Sequence, residues 1–291
     1  MLSCFPRDAL QDIPADGLDD PHTPLPGRRR AGLLDDRGWA CEEAAVARAE
    51  ITMDARDELV VVFGGSSGIG EAVARAMAAR GSRIVIAGRD PGRLAAAADR
   101  LGRGVVTAAV DAGDRDAVDG FFAGLPSDVD HLVLSFSTGR AGGPFRDLPM
   151  ADLSAAIRGK LVAYLSVLQA ALPRLRADGS VTLVGAGSAE SALPATAGLA
   201  AVNGGLHAAV RPLAVELAPL RVNVVAPGVI ETPWWAGMPG PVRDGVFATA
   251  AAAPAGRTGT PDDVAAVVAL LIGSGYVTGT VIPCDGGLRL R

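Results

Sequence analysis

The chain has 291 residues, 49% hydrophobic and 20% charged, with a net charge of −5, a size and apolar share that suit one large α/β domain with a substantial core. The acidic balance offers nucleic acid no bulk attraction, the apolar runs are short and broken by Gly, Pro or charge, and the N-terminus lacks the apolar stretch of a signal peptide, so the expectation is a cytoplasmic protein without a membrane span. Cys4, Cys41 and Cys284 have neither metal-ligand spacing nor an even count, which argues against both a zinc site and a disulfide framework. Residues 1–56 carry scattered prolines, Asp pairs and the run Arg28-Arg29-Arg30 without a sustained apolar period, and read as a disordered or loosely attached extension.

Val60-Val61-Val62-Phe63 reads as a buried strand that runs into Gly64-Gly65-Ser66-Ser67-Gly68-Ile69-Gly70 and then an alanine-rich helix over Glu71 to Arg80. A diphosphate needs backbone N–H groups at close range and the positive end of a helix, and side chains larger than hydrogen block that approach at the tight positions. Ser66 and Ser67 can add hydroxyl donors. Spaced as Gly-x-x-x-Gly-x-Gly, the stretch resembles the phosphate loop of the short-chain dehydrogenase/reductase family, with Phe63 standing where that family has threonine. The resemblance implies a dinucleotide cofactor held by Gly64, Ser66, Ser67, Gly68, Ile69 and Gly70.

Further along, Arg83 to Ala87 makes a second buried strand, with Gly81 before it as a helix cap. A carboxylate at the end of this strand would accept the ribose hydroxyls of NAD; Gly88-Arg89 offers a cation instead, which points to NADP(H). In so arginine-rich a chain, Arg89 also reads as a solvated loop residue. Val105 to Val110 forms a third strand ending in Asp111-Ala112, where the resemblance implies an adenine contact, while Asp111 also suits the N-cap of the helix around Ala117 to Phe122. The fourth strand, Asp130 to Ser137, ends in Leu134-Ser135-Phe136-Ser137 where the family writes Asn-Asn-Ala-Gly. His131 at its start reads as structural.

A long amphipathic helix from Met150 to Leu175 precedes a fifth strand over Ser180 to Val184, a helix over Pro194 to Leu217, and a sixth strand over Arg221 to Val225. The loop Ala226 to Pro233 matches the family closely, and the resemblance places Pro227, Gly228, the Ile230 backbone and the Thr232 hydroxyl at the nicotinamide. Residues 233–256 resemble the family's variable lid, with Trp234, Trp235, Met238 and Phe247 as apolar walls for a small-molecule substrate or as an interface. Strand and helix alternate throughout, which implies a doubly wound parallel sheet in a single Rossmann-type α/β/α domain over residues 57–291. The resemblance further implies a homodimer or homotetramer.

The family reduces carbonyls with a tyrosine, a lysine four residues later, a serine and an asparagine. Counting back from Glu216-Leu217-Ala218-Pro219 puts the tyrosine position at Leu199 and the lysine position at Asn203; the serine position falls on Ala186 and the asparagine position on Lys160, the only lysine in the chain. Two readings follow. Either acid–base work has moved to Lys160 and Tyr164, a Lys-x-x-x-Tyr pair on one helix face, with Ser188 and Asn203 orienting a substrate oxygen, or the scaffold serves a non-redox reaction or regulation. Tyr164 also fits a packed core residue.

Overall fold

Valine- and isoleucine-rich runs build one seven-stranded parallel sheet in the computed structural model, which describes residues 58–137 and 141–290. Its strands are β1 (Leu59–Phe63), β2 (Arg83–Gly88), β3 (Val105–Ala109), β4 (Val129–Leu134), β5 (Leu175–Val184), β6 (Arg221–Pro227) and β7 (Val281–Cys284), in the order β3-β2-β1-β4-β5-β6-β7. The order reverses between β1 and β4, so the carboxyl ends of those strands open the crevice in which such sheets bind ligands. The expectations placed on residues 1–56 lie outside the described residues.

Side chains alternate across a strand, and here both faces are covered. Val60 and Val62 pack with α1 (Gly68–Ala78), α2 (Pro91–Leu101) and α8 (Pro261–Gly273). Val61 and Phe63 face the other layer, made by α3 (Arg115–Ala123), α5 (Ala163–Ala171) and α6 (Ala197–Glu216). Double burial is why β1 reads as an unbroken apolar run, and each such Val or Phe contributes roughly 1.5–3 kcal/mol.

Local chemistry sets the helix starts. Pro91 opens α2 and the Asp90 carboxylate accepts from Arg93 N at 3.0 Å, while Thr260 and Asp263 form a reciprocal capping box on α8. The cap of α3 is Asp114, whose carboxylate accepts from Ala117 N at 3.2 Å. Asp111, weighed for that cap, instead closes a turn by accepting from Gly113 N at 2.9 Å. Gly81 lies two residues beyond the Ala79 cap of α1, at φ +93°.

The long helix expected over Met150 to Leu175 is divided. It runs as α4 (Met150–Ala156), a π-helical turn over Ile157–Val162, α5, and a 3-10 turn over Leu172–Arg174. By length and composition alone the whole run could cross a membrane, and 44% of its most apolar window is buried inside the fold. β5 starts at Leu175, earlier than expected, across a register shift against β4 at Val129/His131. The lid contains a 3-10 turn over Pro233–Gly237 and α7 (Gly240–Ala251).

Candidate active site

The two ends of the expected cofactor site meet at the crevice. Gly68 has φ +58°, which favours glycine, and a Cβ there would stand 3.2 Å from Thr232 Cγ2, so the glycine turn and the loop after β6 pack closely where a side chain would push them apart by a few tenths of an ångström. The N–H of Gly64 is spent on the sheet, donating to the Ala87 carbonyl at 2.8 Å. The N–H groups left to face an anion therefore belong to Ser66 through Gly70. Beside them opens a cleft of about 430 Å³ lined by Ser66, Ser67, Arg93, Ala96, Arg100 and Pro233. Arg93 donates to Ser67 Oγ at 2.9 Å, and Arg100 grips Glu71 through Nε and Nη2 at 2.8 and 2.9 Å. Sequence reasoning missed both arginines, although their spacing, with Ala96 between, puts them on one helix face.

Arg89 is exposed at the end of β2, and Asp111 and Ala112 follow β3 at the same carboxyl edge. On the other side of the crevice, Gly228 N donates to the Cys284 carbonyl at 3.0 Å. The Ile230 carbonyl accepts the Trp235 indole N–H at 2.7 Å. Trp235 also packs edge-on against Trp234 and Phe247, with centroids 4.7 and 5.3 Å away, so the lid is tied to the loop that carries Pro227 to Thr232.

Lys160 sits in the π turn with only 7% of its surface exposed. Its Nζ donates to Asn203 Oδ1 at 2.8 Å and to the Gly185 carbonyl at 3.2 Å. Asn203, also buried, donates through Nδ2 to the Leu199 carbonyl at 2.8 Å and to Ser188 Oγ at 3.4 Å. Thus Lys160, Asn203 and Ser188 form one hydrogen-bonded chain between the π turn, α6 and the loop after β5, with Leu199 one helical turn from Asn203. Burial disfavours the ammonium and lowers the Lys160 pKa to about 7. An amine so placed exchanges a proton near neutral pH, as a general acid or base requires.

Tyr164 does not join that chain. It is fully buried, and its hydroxyl accepts from Phe136 N at 3.1 Å while facing the Phe136 and Val184 carbonyls at 2.8 and 3.2 Å. Burial pushes its pKa far up, so Lys160 does not activate it. The ammonium lies 5.7 Å from the Tyr164 ring centroid, a packing contact. The phenol, expected as a partner of Lys160, is occupied in anchoring Phe136 in the segment after β4. Phe63 joins the same cluster through Phe121, Phe122 and Phe136, which accounts for an aromatic ring where a small hydroxyl residue was expected.

A second ionisable pair borders the chain. His207 lies one turn beyond Asn203 on α6, with Nδ1 3.3 Å from Glu190 Oε1. No cluster of three or more His, Cys, Asp or Glu suited to a metal ion occurs among the described residues.

Residues 64–289 match a family model described as enoyl-(acyl carrier protein) reductase. A Streptomyces violaceoruber protein named as ketoacyl reductase 2 of the granaticin polyketide synthase is 36% identical over 255 residues, spanning 80% of this chain and 96% of its own. A small-chain dehydrogenase solved in complex with NADPH superposes with a TM-score of 0.70 at 27% identity, covering 81% of this chain and all of that one. The MalC reductase/Diels–Alderase of Malbranchea aurantiaca gives a TM-score of 0.75 at 27% identity, covering 82% of this chain and all of that one.

Proposed function

The chain belongs to the short-chain dehydrogenase/reductase family, and on that premise we propose that it is an NADPH-dependent reductase acting on a carbonyl or enone of an apolar small molecule, with Lys160 as proton donor. The crevice fits such a cofactor. The Ser66 to Gly70 N–H groups suit the diphosphate; Arg89 at the end of β2, and Arg93 in the cleft beside the glycine turn, suit the 2′-phosphate; Asp111 and Ala112 suit the adenine; and the Ile230 N–H and Thr232 suit the nicotinamide amide. Since Trp235 occupies the Ile230 carbonyl, the N–H of that residue is the group left for the amide.

Bound NADPH would supply a hydride to an electrophilic carbon, which leaves negative charge on the substrate oxygen. A positioned acid must neutralise that charge. The observation that carries the reading is the Lys160 amine, buried and fixed by Asn203 Oδ1 and the Gly185 carbonyl at the position equivalent to a family catalytic residue. Those two acceptors use two of the three ammonium hydrogens. The third is available to the substrate oxygen, and its transfer leaves a neutral amine that the low pKa tolerates. Asn203 holds the amine and is itself braced by Ser188, while the aromatic lid of Trp234, Trp235 and Phe247 suits an apolar substrate. Leu199 and Ala186 stand at the family's tyrosine and serine positions, so the reading makes this an atypical member. A homodimer or homotetramer, expected from the same resemblance, is checked by light scattering.

A non-redox reaction on the same scaffold is the second reading. It is favoured by the likeness to MalC, which is named a reductase/Diels–Alderase, and by the aromatic lid. Titration with NADPH and NADH, followed by NADPH oxidation against a panel of quinones, cyclic ketones and enones, separates the two. Substrate-dependent oxidation that Lys160→Met abolishes while NADPH binding persists supports the first reading. Binding without oxidation across the panel transfers support to the second, and failure to bind NADPH overturns the first together with the reading of the glycine turn as a phosphate site.

A further inference from the structure

The Lys160 amine must regain its proton after each transfer, yet it is 7% exposed. The backbone of Gly185 is its link to a second titratable group. The Gly185 carbonyl accepts from Lys160 Nζ at 3.2 Å, and a Cβ on Gly185 would stand 3.0 Å from His207 Nε2, so imidazole and ammonium flank the same residue. The His207 side chain is only 10% exposed. Its Nε2 makes no hydrogen bond to protein, although buried ring nitrogens ordinarily find a partner. On the opposite edge Nδ1 lies 3.3 Å from Glu190 Oε1, an ion-pair contact without formed hydrogen-bond geometry, and Glu190 is 43% exposed with Arg289 Nη1 3.5 Å from its other oxygen. The imidazole therefore spans the distance between a solvent-facing carboxylate and the wall of the lysine pocket.

We infer that His207, held by Glu190, is the group through which Lys160 exchanges protons with solvent. The inference rests on the reading of Lys160 as the proton donor. A solvent proton enters at Nδ1 on the Glu190 side, giving imidazolium; Nε2–H then gives one proton, through a bridging water, to the neutral Lys160 amine across Gly185. The ring is left neutral with its proton on Nδ1 and Lys160 charged, and the starting tautomer returns when Nε2 takes a proton from water as Nδ1 gives one up through Glu190. The charged groups around His207 act in opposite senses. Burial lowers its pKa first, Glu190 raises it, and Lys160 lowers it again, so protonating one of the two bases opposes protonating the other. That opposition favours transfer between them.

Lys160 is the chain's only lysine, so the full-length protein grown with nitrogen-15 lysine shows a single side-chain ammonium resonance, and its proton exchange with water is measurable without any substrate. Exchange is expected to slow on the order of tenfold in both His207→Gln and Glu190→Gln, and added imidazole is expected to restore it in His207→Gln. Glu190 is at the surface, so its variant guards against a folding failure at position 207. A merely structural His207 would lower thermal stability without imidazole rescue. Unchanged or faster exchange in both variants overturns the inference. If exchange responds as expected but Lys160→Met still oxidises NADPH with substrate, the relay stands and the reading of Lys160 as proton donor falls.

Discussion

The Lys160 amine carries the conflict that makes it useful. Unfolded, it binds a proton up to its ordinary pKa of 10.5; folded, only up to about 7. The unfolded state therefore holds more protons between those values, and stability rises with pH across that window. The penalty for burying the charge is complete below pH 7 and gone above 10.5. At 1.36 kcal/mol per unit, the wild type gains about 3 kcal/mol between pH 6 and pH 9 from this group. Lys160→Met abolishes that gain but leaves the Gly185 carbonyl and Asn203 Oδ1 without their donor, costing about 1–3 kcal/mol at any pH. Denaturant unfolding at the two pH values should show the variant improving relative to wild type by about 3 kcal/mol on going from pH 9 to pH 6; a constant difference would reject the assignment. At the cofactor end, Arg89→Ala should weaken NADPH by about 1.5–3 kcal/mol and leave NADH unaffected, since only the 2′-phosphate loses a charged partner. Equal weakening of both cofactors in a binding titration would dismiss Arg89 as the discriminating residue.

Between α4 and α5, the π turn over Ile157–Val162 widens the helix where Lys160 leaves it, the kind of local distortion that recurs at functional sites. One turn on, Tyr164 returns to the core and secures Phe136 N–H and C=O. Tyr164→Phe leaves those buried backbone groups unpaired and is expected to cost about 1–3 kcal/mol of stability, while NADPH oxidation by the folded fraction continues. Loss of turnover at unchanged stability would return the tyrosine to the list of proton donors. The sequence shows Lys160 and Tyr164 four apart and hence on one face, but spacing does not say whether that face meets a pocket or a core. Nor does a π turn have a local signature, because it arises from packing against a neighbour: Leu161 lies over Gly205 of α6, where a Cβ would collide with it. Strands β1 and β6 were legible because burial on both faces demands a near-continuous apolar run. His207 was not, because its partner Glu190 comes from a different element. Arg93 and Arg100 were hidden by the chain's general preference for arginine.

Across the sheet, the two ends of the strands have different electrostatic work. The carboxyl ends hold the crevice, and the amino ends of β4 and β5 bury His131 at 6% exposure, with Nδ1 2.8 Å from Ser180 Oγ and Nε2 3.4 Å from Glu58 Oε2. Burial lowers the His131 pKa to about 4; Asp130 and Asp178 pull it upward and Arg221 adds to the lowering. A base whose folded pKa is depressed binds its proton first in the unfolded chain, so its share of stability is intact above pH 6.5 and drains away as pH falls toward 4. The limiting size is about 3 kcal/mol, at 1.36 kcal/mol per unit. Glu58 works the other way, because burial and then Asp130 raise its pKa and let the folded state gain protons first; it offsets part of the acid loss. His131→Gln keeps a hydrogen-bonding group for Ser180 and removes the titration. Its stability at pH 7 should stay within about 1 kcal/mol of wild type, while its melting temperature should fall less steeply between pH 6 and pH 4. Parallel acid limbs for the two proteins would show that the whole molecule's acid sensitivity originates elsewhere, whereas a flattened limb in the variant places it at this one buried imidazole, on the edge of the sheet opposite the proposed chemistry.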